Sequence, residues 1–288
     1  DLRRHYLHGH TMTITTDWHI HSHRSYDCRM YIKTPCLRVT EIVQHVGDKG
    51  IHEYGLTDHL HTPFNLPDLA ASRKDYEESQ PESNFHFGIE ASCVSEWELN
   101  EIASGKHENP IIGVREGGPI NGPLALGLTK SDVVSYGIEY VIGSSHWPMY
   151  VPLEPESLIR DCHRQNMFLA RHPLVTIIGH PWHWGGPEPW LDNFLMIPKS
   201  MHDEFAHTVL EHDTVVEINL MMLLDRKHSE TFTQQYLEYF GSLKSRGVKL
   251  SVASDSHTNN HFDKLDLATA STLLHTVGIR DTDLWTLS

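Results

Sequence analysis

The sequence predicts an α/β protein in which strands and helices alternate along the chain. Seven short runs rich in apolar and β-branched residues recur over the 288 residues, and helical patterns lie between them. This alternation favours a parallel sheet with crossover helices, either a barrel or a doubly wound sheet. The length suits one large α/β domain, and a hydrophobic content of 39 % is enough to form a core.

The predicted strands are the seven apolar runs. They lie near 12–20 and at 51–59, 84–92, 138–146, 174–181, 214–220 and 248–257. Helices are predicted at 40–50, 155–173, 198–213 and 229–247. Thr40 is a candidate N-cap and Gly50 a stop signal for the first helix. Pro155 suits the first turn of the second, and Gly247 ends the fourth. Histidines within these helices, such as His163 and His202, are predicted to lie at the surface.

A long segment from about 93 to 137 interrupts the alternation. It is rich in Gly and Pro, as in "REGGPINGPLALG", and lies between the third and fourth predicted strands. We expect it to be an excursion over the mouth of a barrel rather than a second domain. The whole chain, 1–288, is therefore predicted to form a single domain.

Charge and cysteine content exclude several classes of protein. The formal net charge is −15, and the basic pair Arg3 and Arg4 is the one basic cluster, so no nucleic-acid partner is expected. No run of about 18 apolar residues occurs, so no membrane span is expected. No secretory signal is visible, and the four cysteines are scattered without a CxxC pair. These features favour a reducing compartment, the cytoplasm. The oligomeric state stays open.

Residues that can bind a metal end six of the seven predicted strands. They are His19 and His21, Asp58 and His59, Glu90, His146, His180, and Asp255 with His257. The remaining strand, the sixth, ends in Glu217 and Asn219, which suit hydrogen bonds to ligands. The C-terminal ends of barrel strands meet at one face, so these residues are predicted to form a multi-metal site there.

The first of these motifs raises a question of its own. In "DWHIHSHRSYD", His19, His21 and His23 alternate, so they share one face if the strand runs that far. Alternating imidazoles can bind one ion together. His61 and His183 are predicted to lie near the mouth of the site, where they can contact substrate.

The order of the motifs resembles a known family. "DWHIHS", "GLTDH", "GIE", "GSSH", "IIGHP", "VEINL" and "SDSH" follow one another as in the PHP family, the polymerase-and-histidinol-phosphatase superfamily of metal-dependent phosphoesterases. The resemblance covers roughly residues 14–280. It implies a distorted seven-stranded (β/α)7 TIM-like barrel with up to three zinc, iron or manganese ions at the C-terminal face of the strands.

The resemblance also implies the site residues. The implied metal ligands are His19, His21, Asp27, His59, Glu90, His146, His180, Asp255 and His257. Glu90 would bridge two ions, and two to three divalent ions are expected in total. Asp27 takes the place of the late residue of the first motif, so His23 is not expected to bind metal. Asp17, Glu217 and Asn219 are predicted to orient the ligands by hydrogen bonds.

Within the family, the motifs are most similar to members of the histidinol-phosphatase type. This similarity implies hydrolysis of a small phosphate monoester, with Arg226 and Lys227 binding the phosphate. Trp147 and His183 are further candidates for substrate contact. His59, Asp58 and His180 are the candidates for protonating the leaving group, and the motifs do not choose among the three.

One departure concerns the segment "HPWHWGGPEPW". The phosphatases carry basic residues soon after the histidine of the fifth strand, whereas this segment has no Arg or Lys until Lys199. Histidinol phosphate itself is therefore not predicted as the substrate. Trp147, Trp182 and Trp184 are instead expected to wall a pocket for an apolar or ring-bearing molecule.

Two rival functions are compatible with the motifs. Amidohydrolases, which cleave C–N or C–O bonds, also use a strand-one HxH, but they usually bridge two metals through a modified lysine. No lysine ends a predicted strand here, and Glu90 takes that place. The second rival is a barrel that binds metal as an accessory module without catalysis. No ligand position has been lost, which favours an enzyme.

Overall fold

The computed structural model describes residues 14–225 and 227–287, which form an α/β fold around a parallel sheet. The strands are β1 (Thr16–Ile20), β2 (Glu53–Leu56), β3 (His59–Leu60), β4 (Phe85–Ser95), β5 (Leu124–Leu126), β6 (Tyr140–Ser144), β7 (Ile177–Ile178), β8 (Val215–Asn219) and β9 (Leu250–Ala253). The helices are α1 (Tyr26–Met30), α2 (Val39–Asp48), α3 (Leu66–Glu78), α4 (Glu96–Ala103), α5 (Lys130–Tyr136), α6 (Pro155–Arg171), α7 (Lys199–Glu211), α8 (Leu220–Leu224), α9 (Glu230–Ser245), α10 (Asn259–Lys264) and α11 (Leu267–Thr276). Short 3-10 turns lie at Pro63–Asn65, Pro189–Leu191, Phe194–Met196 and Asp281–Asp283.

The main sheet is a nearly closed barrel of seven parallel strands in the order β1-β2-β4-β6-β7-β8-β9. The first and last strands meet just beyond their ends. There the His21 N–H donates to the Ser256 carbonyl at 2.9 Å, and the Asp255 N–H donates to the His19 carbonyl at 2.8 Å. Ile20 and Ser256 form a parallel bridge at the same place. Of the two sheet architectures predicted, the structure therefore supports the barrel.

Each predicted strand overlaps one strand of the barrel, and the four predicted helices are confirmed as α2, α6, α7 and α9. Helix α2 begins earlier than predicted, with Arg38 rather than Thr40 at the N-cap. The reason is local, because the Glu41 carboxylate accepts the Arg38 N–H at 2.6 Å and closes the first turn.

The barrel interior below the strand ends is filled by aromatic side chains. The Tyr140 hydroxyl donates to the Trp18 carbonyl at 2.6 Å, and both rings are almost completely buried. Gly55 and Gly88 on neighbouring strands face the Tyr140 ring so closely that a Cβ at either position would overlap it. This packing closes the bottom of the barrel, so the polar side chains collect at the opposite, C-terminal end of the strands.

The segment predicted as an excursion adds elements to the barrel. Strand β4 continues to Ser95, and β5 pairs with its end in the antiparallel sense. Helix α4 follows β4 in the chain, and α5 follows β5. The Thr62 hydroxyl donates to the Pro110 carbonyl at 3.2 Å, which ties the segment to the loop after β3. Part of the excursion thus lies at the C-terminal end of the strands. The assignment of 1–288 to one domain stays a prediction.

The cysteines differ from the sequence expectation. Cys28 and Cys36 form a disulfide with their Cα atoms 5.9 Å apart, which differs from the reduced cysteines expected in a reducing compartment. The two cysteines are eight residues apart, so they form no CxxC motif. They come together because the chain turns back between α1 and α2. Cys93 and Cys162 are free and buried. The cytoplasmic location stays a prediction, and the described residues contain no helix long and apolar enough to cross a membrane.

Candidate metal centre

The nine predicted ligands meet at the C-terminal end of the barrel strands, and each is buried or partly buried. Glu90, on β4, lies at the centre and is fully buried. Its Oε1 atom lies 3.0 Å from His146 Nε2 and 2.9 Å from His180 Nε2. Its Oε2 atom faces three other imidazoles. These contacts are His59 Nδ1 at 2.6 Å, His19 Nε2 at 3.2 Å and His21 Nε2 at 3.5 Å.

Two further carboxylates complete the cluster. Asp255 Oδ1 lies 3.3 Å from His21 Nε2 and 3.8 Å from His19 Nε2. On the other side, Asp27 Oδ2 lies 2.7 Å from His257 Nε2 and 3.7 Å from His59 Nε2. In this cluster, each of the three carboxylates therefore lies close to at least two imidazole rings.

His23 lies outside this arrangement. Strand β1 ends at Ile20, so the alternation does not continue to His23. Its Nε2 atom lies 3.5 Å from Asp75, which also accepts two hydrogen bonds from Arg24. The structure thus places Asp27, and not His23, among the predicted ligands, because α1 turns Asp27 back toward the barrel.

The cluster contains four overlapping groups whose candidate ligand atoms lie within 4.8 Å of one another. They are His19 with His21 and Asp255; Glu90 with His146 and His180; His21 with His59 and His257; and His59 with His61 and His146. Several groups of this centre can therefore hold metal ions. The first three groups contain only predicted ligands, and the fourth adds His61.

Hydrogen bonds behind the cluster fix the direction of its imidazoles. His19 Nδ1 donates to Glu217 Oε2 at 2.8 Å, and His180 Nδ1 donates to the His183 carbonyl at 2.7 Å. His257 Nδ1 donates to the Asp255 carbonyl at 2.9 Å. Each of these rings must carry its proton on Nδ1 when neutral, which leaves the Nε2 lone pair directed into the cluster. Metal-binding histidines are commonly oriented in this way.

The residues predicted to orient the ligands are placed behind them. Glu217 Oε1 accepts the His180 N–H at 3.1 Å, so one carboxylate orients two strand ends. Asn219 donates to Asp255 Oδ2 at 3.2 Å. Asp17 Oδ1 accepts the backbone N–H groups of His19 at 3.3 Å and Ser254 at 2.9 Å, linking the two strands that close the barrel.

Sequence reasoning placed His61 near the mouth of the site but did not include it among the predicted metal ligands. The ring is buried, and its Nδ1 atom lies 2.5 Å from the Ser92 hydroxyl, which also contacts His146 Nδ1 at 2.7 Å. His59 and His61 repeat the alternation of His19 and His21, which was the available signal. Strand β3 has only two residues, so no apolar run marked a second alternating pair.

The electrostatics of the cluster depend on a balance between burial and charge. Burial alone would raise the pKa of Glu90, but the positive charges of His59 and His19 and the hydrogen bond from His146 hold that pKa well below its ordinary value. Burial alone would lower the pKa of His180, yet Glu90, Asp255 and Glu217 raise it to about 9. Ionised carboxylates here are thus balanced by protons on imidazoles, and divalent cations can replace those protons.

Other imidazoles of the cluster stay neutral. Burial and the neighbouring charges of His257 and His59 lower the pKa of His21 to about 3. Burial lowers the pKa of His146 to about 4, although Glu90 opposes the shift. A neutral imidazole has the free lone pair that a metal requires.

The donor set fits divalent transition metals. Among the described residues, several buried polar atoms of the cluster have no hydrogen-bond partner of good geometry. They are His19 Nε2, His21 Nε2, His59 Nδ1, Glu90 Oε2, Asp27 Oδ1 and His257 Nε2. Leaving such atoms unpaired is costly, and all of them lie in one cluster of nitrogen and carboxylate donors. Imidazole and carboxylate together suit zinc, iron and manganese.

Two predicted ligands also have a strained backbone. His180 has φ of 26° and Asp255 has φ of 54°, in the region that non-glycine residues rarely adopt. Each lies just beyond the end of a barrel strand and is held by the contacts described above. Strain of this kind is commonly kept at functional sites.

The other predicted residues fall in different places. Both oxygens of Asp58 are engaged, accepting from the Ser22 N–H and from the hydroxyls of Ser22 and Ser72, all at 2.6 Å. Its predicted proton-transfer role stays a prediction that these contacts do not favour. Arg226 lies outside the described residues. Lys227 is exposed, and its backbone N–H donates to Asp225.

The aromatic residues expected to wall the site divide into two groups. The Trp147 ring lies 5.2 Å from the His61 ring and 5.6 Å from the His146 ring, beside the cluster. His183 lies nearby, with its ring 5.9 Å from that of His180. Trp182 and Trp184 do not wall the site. Their rings are buried and pack against Trp190 at 5.9 and 5.5 Å, because the turn after His180 directs them into the helical layer.

Comparisons with known proteins identify no family for the chain. No protein-family model matches it, and no curated protein matches it. Among solved structures, the crystal structure of A. niger ochratoxinase is similar at 11 % sequence identity and a TM-score of 0.37, covering 92 % of this chain and 69 % of that one.

Proposed function

We propose that this protein is a metal-dependent hydrolase of a small phosphate monoester, related to the PHP family and binding two to three zinc, iron or manganese ions. The observation that carries the proposal is the position of Glu90. One oxygen faces His146 and His180 and the other faces His19, His21 and His59. A carboxylate with separate nitrogen donors on each oxygen is suited to bridge two ions.

The chain itself contributes orientation and exclusion of water. Glu217 and the backbone carbonyls of His183 and Asp255 hold three imidazoles in one direction, so their ligand atoms need not reorganise. Glu90 and His19 are fully buried, which strengthens the electrostatic interactions around them. Ions held by these residues would supply Lewis acidity toward phosphoryl oxygens and activate water as the nucleophile.

The contacts of His180 and His59 suit metal binding better than proton transfer to the leaving group. His180 has both ring nitrogens engaged, one with the His183 carbonyl and one with Glu90, which suits a ligand better than a proton donor. His59 Nδ1 likewise faces Glu90. The predicted roles of Arg226 and Lys227 in phosphate binding remain part of this proposal.

Cleavage of a carbon centre is the alternative. The bridging position is occupied by Glu90, and the donor groups found in the described residues contain only histidines and carboxylates. A bridging carboxylate in place of a modified lysine favours phosphoester chemistry over the amidohydrolase type. An accessory barrel without catalysis is less favoured because the whole ligand set is present.

The decisive experiment combines elemental analysis with a substrate panel. The purified chain should contain two to three transition-metal ions, and it should hydrolyse para-nitrophenyl phosphate faster than bis(para-nitrophenyl) phosphate or para-nitroacetanilide. Chelation should abolish the activity, and addition of zinc, manganese or ferrous ion should restore it. Metal-dependent cleavage of the anilide alone would replace the proposal with the amidohydrolase alternative. Bound metal without turnover of any compound would support the accessory barrel.

A further inference from the structure

Arg115 is a cation beside the metal centre that no sequence motif marked. It lies in the excursion, and its guanidinium carbon is 3.7 Å from the centroid of the Trp147 ring. Trp147 follows the predicted ligand His146 directly in sequence, and its ring lies beside His61. The Trp147 ring therefore contacts Arg115 and also lies beside a histidine of the cluster.

The surrounding structure holds Arg115 in this position. Its Nη2 atom forms an ion pair with the fully buried Glu98 of α4. Glu98 also accepts the Val114 N–H at 2.6 Å, so the acid fixes both the side chain and the backbone beside it. Gly113 has φ of 84°, and a Cβ there would overlap Glu98 and Arg115. The loop thus requires glycine at this position to bring the arginine onto the indole.

Hydrogen-bonding groups remain free on both side chains. Among the described residues, Arg115 Nε and Trp147 Nε1 have no hydrogen-bond partner although both atoms are buried. The Arg115 side chain keeps 30 % of its surface exposed, so part of the guanidinium is open to a ligand. Buried N–H groups without a partner are costly and commonly indicate a ligand or bound water.

The charge of Arg115 indicates that a ligand bound beside Trp147 would be an anion. In the proposed function the ions of the cluster bind the phosphoryl group, so a second anionic group on the substrate needs a separate cation. A planar guanidinium stacked on an aromatic ring is well suited to bind a carboxylate or a phosphate. The Arg115 side chain contacts Glu98 and Trp147 rather than a predicted ligand, so it can reach a group remote from the reacting phosphorus.

We propose that Arg115 and the indole N–H of Trp147 form a subsite for a second anionic group, a carboxylate, on the substrate. This inference rests on the proposed function, which places the phosphoryl group at the metal cluster. The substrate class is then a small phosphate ester that also carries a carboxylate. Reorientation of the Arg115 side chain, while Glu98 keeps its ion pair, brings the N–H groups to this carboxylate.

Calorimetric titration of the metal-loaded full-length chain tests the subsite with two matched ligands. The ligands are 3-phosphonopropionate and propylphosphonate, which share a three-carbon chain and differ in the carboxylate. The wild type should bind 3-phosphonopropionate about tenfold more tightly, as expected for one hydrogen bond to a charged group. Arg115→Gln should reduce this preference to less than about twofold, and Trp147→Phe should reduce it in part.

The chain offers a matched control in Arg73. This arginine also stacks on aromatic rings, at 5.2 Å from Tyr76 and 5.0 Å from Phe87, and is paired with Glu77. Arg73→Gln should keep the wild-type preference. The double variant Glu98→Gln/Arg115→Gln removes the buried charge that Arg115→Gln alone leaves unpaired, and it should also lose the preference while keeping a wild-type circular dichroism spectrum.

The outcomes separate the two proposals. If propylphosphonate binds in a metal-dependent manner but the carboxylate adds nothing, or if Arg115→Gln and the double variant keep the preference, the subsite is wrong and the proposed function stands. If propylphosphonate does not bind and no phosphoester is cleaved, the proposed function is wrong. Binding of glutarate that is lost in Arg115→Gln would then retain the carboxylate subsite for another reaction.

Discussion

Two groups of histidines in the described part of the chain differ in what surrounds them. At the strand ends, imidazoles surround the Glu90 carboxylate at distances of 2.6 to 3.5 Å. Between α6 and α7, His163 Nε2 contacts Glu204 at 2.8 Å. The His202 ring lies 4.7 Å from the Tyr239 ring and 5.4 Å from the Phe194 ring. The same residue type thus surrounds a shared carboxylate in one region and packs among aromatic rings in the other.

The two regions differ in how many imidazoles each carboxylate contacts, not in the presence of histidines. Around Glu90, each carboxylate contacts more than one imidazole, and hydrogen bonds from behind set the ring direction. Around His202, the ring is enclosed by Phe194, Tyr239 and Trp182, and burial lowers its pKa to about 4. The number of histidines therefore does not distinguish the two regions, whereas carboxylates shared between imidazoles do.

The largest expected effect is that of Glu90→Gln. Replacing the shared carboxylate removes the negative charge that five imidazoles face, so metal content should fall below about half of the wild-type value. Glu204→Gln is the matched control, because Glu204 contacts His163 in the other group. Elemental analysis of both variants checks the contrast. Equal metal loss in the two variants would contradict it.

The next effect concerns Asp27 and His23. Asp27→Ala should remove about one ion per chain, because Asp27 Oδ2 lies 2.7 Å from His257 and 3.7 Å from His59, which belong to one donor group. His23→Ala should leave the metal content unchanged, since His23 faces Asp75 instead. Measured metal-to-protein ratios that fall for His23→Ala and not for Asp27→Ala would show that the ligands were assigned to the wrong part of the first motif.

The smallest effect concerns stability and His202. Its folded-state pKa of about 4 lies below the ordinary value of 6.5, because burial disfavours the charged ring. The unfolded chain therefore binds a proton that the folded chain does not, and this contribution to stability is lost as pH falls from about 6.5 to 4.

Replacing His202 with phenylalanine should remove this dependence, since the site is already aromatic. Between pH 7 and 5, His202→Phe should lose about 2 kcal/mol less unfolding free energy than the wild type. Urea denaturation of metal-stripped protein at both pH values measures the difference. An identical loss in both proteins would mean that His202 is not the neutral ring described here.

The residue patterns predicted a parallel α/β sheet and much of the centre for a physical reason, and the family resemblance added the barrel. Apolar runs followed by His, Asp or Glu are local patterns, and a parallel barrel brings all their ends to one face. His61 was passed over as a possible ligand because β3 is too short to leave a pattern. Arg115 carried no signal because an irregular loop has no periodicity, and its place on Trp147 depends on a buried acid in α4.

The same limit explains the other differences. Cys28 and Cys36 pair because the chain reverses between them, which spacing alone does not reveal. His163 and His202 were expected at the surface, yet His163 is 8 % exposed and His202 only partly exposed, since α6 and α7 pack against each other. Long-range packing of this kind is not encoded in any single helical pattern.

The junction of β1 and β9, which we call the seam, is formed by the hydrogen bonds of His21 with Ser256 and of Asp255 with His19. It has a consequence for the unfolding of the chain. Predicted ligands lie on both sides of this seam, with His19 and His21 at the end of one strand and Asp255 and His257 after the other. An ion bound by residues of both strands would act as a cross-link that joins the two ends of nearly the whole fold, and closing so large a loop would remove much chain entropy from the unfolded state. Loss of metal should therefore open the barrel first at this seam, where the amide protons of His21 and Asp255 would exchange with solvent before those of β6.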